Sequence, residues 1–226
     1  MGVLEAFSRI VQLGGAPERG ARVHEMRAAF ELRTGAFAPE DPWFEARSRA
    51  FWCDALTHVG FGREVEPALD AEDRAWLGPL ERAHRGLFRV RALADGGAGT
   101  LLVDVWSGAE LLVTLTDEQS RDELRASSGQ LFDGRVLGAA RPFVLGLLPG
   151  AIFHPSQATA AIDPVLAAAR ERGLSTDEAL DALLRMEHMF RSLSRVKAAY
   201  AYRPAGLTPR APPAGPALRR ASRGPT

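Results

Sequence analysis

Apolar residues along this chain recur at helical spacing towards both ends and at strand spacing only in the middle. Val3, Leu4, Phe7, Ile10 and Val11 predict a helix over 2–13, stopped by Gly14 and Gly15. Val23, Met26 and Phe30 predict a second helix, from Pro17 to Gly35, with Gly35 just past its end. Asp41 is an expected N-cap and Pro42 suits the first turn of a third helix. That helix carries Trp43, Phe44, Phe51, Trp52, Leu56 and Val59 before Gly60, an aromatic stripe whose spacing marks it as core material. Phe61 to Leu69 reads as extended or irregular. Asp70 caps a further helix from Ala71 to about His84, in which Pro79 predicts a break at Gly78.

The period then changes. Gly86-Leu-Phe-Arg-Val-Arg-Ala-Leu93 alternates as a strand, and the glycine-rich stretch 95–99 is a turn. Thr100 to Leu115 forms two strand-like runs folded about Trp106, Ser107 and Gly108, where Gly108 supplies the positive φ of a short hairpin loop. Leu101, Val103 and Val105 are expected on one face, answered by Val113 and Leu115 on the next strand, with Asp104 facing the other way. Asp117 to Arg125 reads as one or two helical turns or a loop. Leu131 to Ala140 and Phe143 to Leu148 are further strands, the latter bent at Gly146, and 150–154 adds a last short one. Five or six antiparallel strands in about 70 residues suit a curled sheet or partly closed barrel, because closure removes exposed edges.

Helical spacing returns after Ser156, an expected cap. Asp163 and Pro164 open a helix that stops at Gly173. Ser175 and Glu178 have capping-box spacing and precede the longest predicted helix, Thr176 to about Tyr200, whose stripe is Leu180, Leu183, Leu184, Phe190, Leu193 and Val196. Residues 204–226 hold six prolines and no aromatic residue, and are expected to be a disordered tail. The fold class is therefore α+β: a helical N-terminal part (1–85), a small antiparallel barrel-like β module (86–155), C-terminal helices packing on the rest (156–203), and a basic tail (204–226).

Composition narrows the function classes. At 226 residues, 46% apolar and 25% charged, the chain can bury a sizeable core. It has no 18-residue apolar run to span a membrane and no basic-then-apolar N-terminal signal. One cysteine, Cys53, allows neither an internal disulfide nor a zinc cluster, so a cytoplasmic location is expected. The net charge of zero conceals an asymmetry: no acid follows Glu187, while residues 1–187 carry 20 basic against 28 acidic side chains. Of the 28 basic residues 27 are arginine, a bias that reads as compositional.

Candidate chemistry is sparse. Cys53 and His58 are five apart and do not share a helical face, so Cys53 reads as a small buried hydrophobe rather than a nucleophile. Asp54 and His58 do share a face, but no third ligand lies nearby and no metal is expected. Ser107 lies in a hairpin turn and not in a nucleophile elbow. The glycines at 96, 97 and 99 precede a strand with no lysine, so they form a turn and no phosphate loop. No cofactor is expected.

Two resemblances touch the β region. Arg85 and Arg89, with Asp104-Val-Trp-Ser107-Gly108 on the hairpin, resemble a PilZ domain, whose paired arginines and Asp-x-Ser-x-x-Gly turn hold a cyclic dinucleotide. Here the Asp and Ser are three apart instead of two, and the motif's last glycine is absent. The segments His84-Arg-Gly-Leu-Phe-Arg-Val90, Asp104 to Gly108, Phe132-Asp-Gly-Arg-Val136 and Ile152-Phe-His-Pro155 resemble an uncharacterised bacterial family. In that family a helical part precedes a small β domain, sometimes linked to a cysteine-rich SEC-C motif that this chain lacks.

The expected function is that of an intracellular, non-enzymatic binding or adaptor protein with an unidentified protein partner. One alternative is association with nucleic acid through Arg85, Arg89, Arg91 and Arg135 on the barrel, helped by Arg210, Arg219, Arg220 and Arg223 of the tail. A second is a PilZ-like cyclic dinucleotide sensor using Arg85, Arg89, Asp104 and Ser107. An enzyme would instead require a pocket of convergent polar groups with a perturbed histidine or carboxylate.

Overall fold

The computed structural model describes residues 2–93, 99–115, 122, 124–125, 129–140, 143–193 and 195–208. The expected turn at 95–99 apart from Gly99, most of 117–125 and the tail arginines lie outside the described residues.

Helix α1 (Val3–Gly14) buries Ala6, Phe7 and Ile10. A 3-10 turn at Pro17–Arg19 leads into α2 (Gly20–Thr34), which buries Met26, Phe30 and Thr34. Helix α3 (Phe44–Thr57) starts later than its cap signal implies. Asp41 instead accepts a hydrogen bond from the Ala38 N–H at 2.7 Å, closing a turn ahead of the helix. The segment expected to be extended is helical: α4 (Gly62–Val65) runs into a 3-10 turn at Glu66–Ala68. Gly62 and Pro67 obscure the four-residue spacing of Phe61 and Val65, both fully buried. Asp70 caps α5 (Ala71–Arg74) by accepting from the Asp73 N–H. The break falls at Ala75–Trp76, so Pro79 sits in the first turn of α6 (Leu77–Glu81), where a missing N–H costs no hydrogen bond.

Among the described residues the strands are β1 (His84–Leu93), β2 (Gly99–Asp104), β3 (Glu110–Thr114), β4 (Leu131–Ala140), β5 (Phe143–Leu147) and β6 (Ile152–Phe153). Their order is β1-β2-β3-β5-β4, and β4 pairs back onto β1, closing a five-stranded barrel. The barrel is mixed rather than antiparallel, because β3 and β5 pair in parallel at Thr114 and Gly146. Parity forces this: directions that alternate around a ring of five must leave one like-directed pair. Strand β6 continues beyond β5 along the same side of β4, with Phe132 opposite Phe153.

The barrel interior holds Phe88, Leu102, Val113, Leu115, Leu124, Phe132, Val136 and Leu147. Leu102, not Leu101, Val103 and Val105, therefore meets Val113 inside. The run Leu101-Leu-Val-Asp-Val105 is apolar on both parities, so its periodicity did not select the inner face. Asp104 faces away from those three as expected, which places it inward and fully buried. At the hairpin, Asp104 Oδ1 accepts from the Trp106 N–H at 3.0 Å and Oδ2 from Ser107 Oγ at 2.5 Å, while Gly108 has φ 77°.

Helix α7 (Thr159–Glu171) begins directly after a 3-10 turn at Ser156–Ala158, so Pro164 lies inside it and starts no separate helix. The predicted capping box holds: Ser175 Oγ accepts from the Glu178 N–H at the start of α8 (Thr176–Ser192). This helix ends at Ser192, where Leu193 turns extended (φ −103°, ψ 119°); Arg195 takes φ 62°, and α9 (Ala198–Ala201) follows. Pro204–Leu207 forms a 3-10 turn whose Leu207 is buried, so the expected tail is ordered at its start.

Two further cores flank the barrel. On one side Leu137, Leu148 and Ile152 join the N-terminal aromatic core of Phe30, Phe51 and Phe61. Gly150, with φ 96°, lies so close to α3 that an added Cβ would sit 2.7 Å from the Ala50 nitrogen. On the other side Leu87 and Leu131 lie beneath Ile162, Val165, Leu180 and Leu183 of α7 and α8.

Arg47 of α3, 1% exposed, locks these layers. It donates to the carbonyls of Thr34 (2.9 Å) and Leu184 (2.8 Å) and to the Glu187 carboxylate, whose other oxygen takes Arg191. Glu187→Ala is expected to cost about 3–5 kcal/mol, because it strands a buried guanidinium. The Arg47→Met/Glu187→Met double variant should cost far less than its two single variants together. Urea titration of the four proteins checks this, and additive losses would refute it.

Candidate functional site

Between the two flanking cores the barrel also meets its helices through a set of charged residues. Five elements contribute outward-facing groups: Arg85 from β1, Asp133 and Arg135 from β4, Asp177 and Asp181 one turn apart on α8, Arg33 from the end of α2, and Asp54 from α3. They form an alternating chain. Arg85 donates to Asp133 at 2.7 Å and to Asp181 at 2.8 Å, with Asp177 at 3.3 Å. Arg33 bridges Asp181 at 2.8 Å and Asp54 at 2.5 Å, and Arg135 reaches the other Asp54 oxygen at 2.8 Å. Burial alone would push Asp181 up, but the guanidiniums of Arg85 and Arg33 hold it below the usual carboxylate range.

Above this chain opens a polar cleft of about 410 Å³. Arg85 and Arg135 form part of its floor; Thr57 and His58 enter from the end of α3, Glu81 and Arg82 from the end of α6, His84 from β1, and Thr176 and Asp177 from the start of α8. Glu81 is held bidentately by Arg63, at 2.5 and 2.8 Å, and its carboxyl is lowered by those bonds. Arg82 is exposed and makes no ion pair with a described residue. His58 Nδ1 lies 3.9 Å from Asp177.

His84 is half exposed to the cleft, and its Nε2 meets buried Asp104 Oδ2 at 3.1 Å. That hydrogen bond raises the imidazole above its ordinary value. Burial opposes ionisation of Asp104, but its bonds to His84, Ser107 and the Trp106 N–H keep its carboxyl below the normal range.

The structure thus gathers Arg85 and Arg135 in the cleft, with Asp104 and Ser107 behind His84. It does not bring Arg89 or Arg91 there. Both are exposed on β1 beyond Leu87, and Leu87 is buried under the C-terminal helices. Arg91 pairs with Glu110 across the outer face of the barrel, where Leu112 stands 66% exposed. Arg210, Arg219, Arg220 and Arg223 lie outside the described residues. Asp54, expected only as a possible partner of His58, is committed to Arg33 and Arg135. Cys53 is buried, and burial pushes its thiol up to about 11, so it is no thiolate nucleophile at neutral pH. Among the described residues no group of three or more His, Cys, Asp or Glu side chains is placed to hold a metal ion.

Sequence reasoning missed Arg33, Asp133, Asp177 and Asp181. The available signals were the Asp177/Asp181 pair at i,i+4 beside an apolar helical stripe, and Asp133 alternating with Arg135 on the outer parity of a strand.

The His84–Asp104 pair gives a pH signature. A folded-state pKa above the unfolded value means its contribution is complete below about pH 6.5 and fades as pH rises through the raised folded value. His84→Gln should therefore lower stability more at pH 6 than at pH 9. The gap should stay below about 1 kcal/mol, because water screens a half-exposed imidazole. Thermal melts across pH test this, and a gap that widens with rising pH would contradict it.

Compared with family models, curated proteins and solved structures, the chain matches none of them.

Proposed function

We propose that this protein is a non-enzymatic binding protein that takes a small oxyanion-bearing ligand into the polar cleft. One observation carries the reading: the cleft walls present Arg82, Arg85 and Arg135 against Glu81 and Asp177, with two histidines added, and Arg85 and Arg135 are fixed from behind by the charge chain. Guanidiniums held in one orientation lose little freedom when they meet a ligand. A ligand seated there touches α3, β1 and the start of α8 together, which suits an adaptor whose parts tighten on binding.

The nucleic-acid reading is weaker, because Arg85 and Arg135 are buried in the cleft and not spread on an open face that a polyanion could cover, and Arg91 is paired with Glu110. Five-stranded barrels of the OB type bind nucleic-acid strands across β2 and β3 with basic and aromatic groups. Here the outward positions on those strands are Leu101, Val103, Glu110, Leu112 and Thr114. The cyclic-dinucleotide reading needs Arg85 and Arg89 to act as one clamp. Four strand residues separate them by about 13 Å, with Leu87 and its covering helices between.

Isothermal titration with inorganic phosphate, pyrophosphate and citrate tests the proposal. At least one is expected to bind, and Arg82→Glu, which reverses a charge outside the chain of ion pairs, should weaken that binding about tenfold or more. No heat from any of the three, or equal binding by the variant, would refute the reading.

A further inference from the structure

A second cavity, sharing no lining residue with the cleft, lies where the start of α3 faces β6 and the last turns of α8. Its volume is about 210 Å³, and Pro42, Trp43, Ala46, Ile152 and Phe153 give it largely apolar walls. Arg47, Glu187 and Arg191 complete the lining. We propose that this cavity binds a small carboxylate with an apolar body.

Unmet donors support this. Among the described residues neither Trp43 Nε1 nor Arg47 Nε, both buried, has a hydrogen-bond partner. They sit four residues apart, on one face of the helix start. Both residues line the cavity, and buried donors are nearly always matched, so these two orphans point to an acceptor that a small side-chain shift would admit from the cavity. Charge agrees: two guanidiniums line the cavity against one carboxylate, and both Glu187 oxygens are already occupied by Arg47 and Arg191. A bound monoanion neutralises that excess.

The ligand's size and access follow from the walls. The volume is below the roughly 300–1,000 Å³ of pockets for drug-sized molecules, which limits the ligand to a short acid. Trp43, Ile152 and Phe153 suit a ring or branched chain. Arg191 is 38% exposed and spans from Glu187 to the Phe153 carbonyl at 3.2 Å, so a partly solvated cation stands beside the cavity where an incoming anion can meet it.

The test uses the full chain labelled with ¹⁵N. Its four tryptophans each give one indole N–H resonance, and Trp43→Phe identifies that of Trp43. Titration with phenylacetate and isovalerate should move this resonance in a saturating manner. Phenylacetamide, which keeps the shape without the charge, should bind at least about tenfold more weakly. Ala46→Leu fills the cavity and should abolish the response while the other indole resonances stay in place; if that variant does not fold, Ala151→Val serves the same purpose. No saturating shift, an equal response to the amide, or binding retained in the filled variant would overturn the proposal. Because the cleft is untouched by these changes, failure here leaves the oxyanion reading standing, and failure there leaves this one.

Discussion

The alternation of carboxylate and guanidinium from Asp133 through Arg85, Asp181, Arg33 and Asp54 to Arg135 is the constraint on which the arrangement of the molecule depends. Each member faces away from its own strand or helix into a junction where water is scarce. Removing a charge from water is costly, and it is tolerated only when opposite charges and hydrogen bonds surround it on several sides. Most members of this chain touch two partners of opposite sign, so no single pair bears the desolvation alone. Hydrophobic cores on either side of the barrel supply the attraction, as apolar burial does generally, but such burial is non-directional. The charge chain supplies direction: α8 can dock on β1 and β4 in the one register that sets Asp181 between Arg85 and Arg33.

The composition takes on a different meaning in this light. The arginine bias, with one lysine among 28 basic residues, reads from sequence as compositional. In the fold, several of these positions need a forked donor. Arg33 bridges two aspartates from separate helices, Arg85 holds Asp133 with one side of its plane and Asp181 with another, and Arg47 meets two carbonyls and a carboxylate. A lysine ammonium is a single point and cannot span such partners. Whatever set the overall bias, these junction sites use the geometry of guanidinium.

Local signals made much of the architecture legible. Ser175 with Glu178, Asp70 and Gly108 act through neighbours a few residues away, so the sequence around them contains the whole interaction. The period change after Arg85 likewise located the β module. What was hidden needed partners distant in sequence. The inner face of β2 was ambiguous because Leu101 and Leu102 are equally apolar, and only closure of the barrel selected Leu102. The parallel contact of β3 with β5 is a property of the ring, not of either strand. Of the cleft, Arg85, Arg135 and Asp104 were visible as charged residues on strands, but their partners Asp54, Asp177 and Asp181 looked like ordinary polar positions of helices. The i,i+4 spacing of Asp177 and Asp181 marks a shared helical face, but nothing local tells whether that face meets solvent or an arginine 96 residues away.

The same distinction bears on how charged residues should be weighed for function. Arg85 and Arg89 share a strand face and a residue type, and by sequence they are equivalent candidates. Arg85 donates to three carboxylates, so its removal would disturb the junction whether or not it meets a ligand. Loss of binding on changing Arg85 therefore speaks to architecture first. Arg82 and His84, which face the cleft from positions half or more exposed, report on a ligand more directly, because changing them leaves the chain of buried charges intact. A group embedded in compensated charge pre-orients a site, and a group with spare donors at its rim reads what enters. In this protein the two roles fall on adjacent residues of the α6–β1 junction, with the rim group at position 84 and the anchor at position 85. The side-chain alternation of a β-strand, which sends neighbouring residues to opposite faces, makes that division possible.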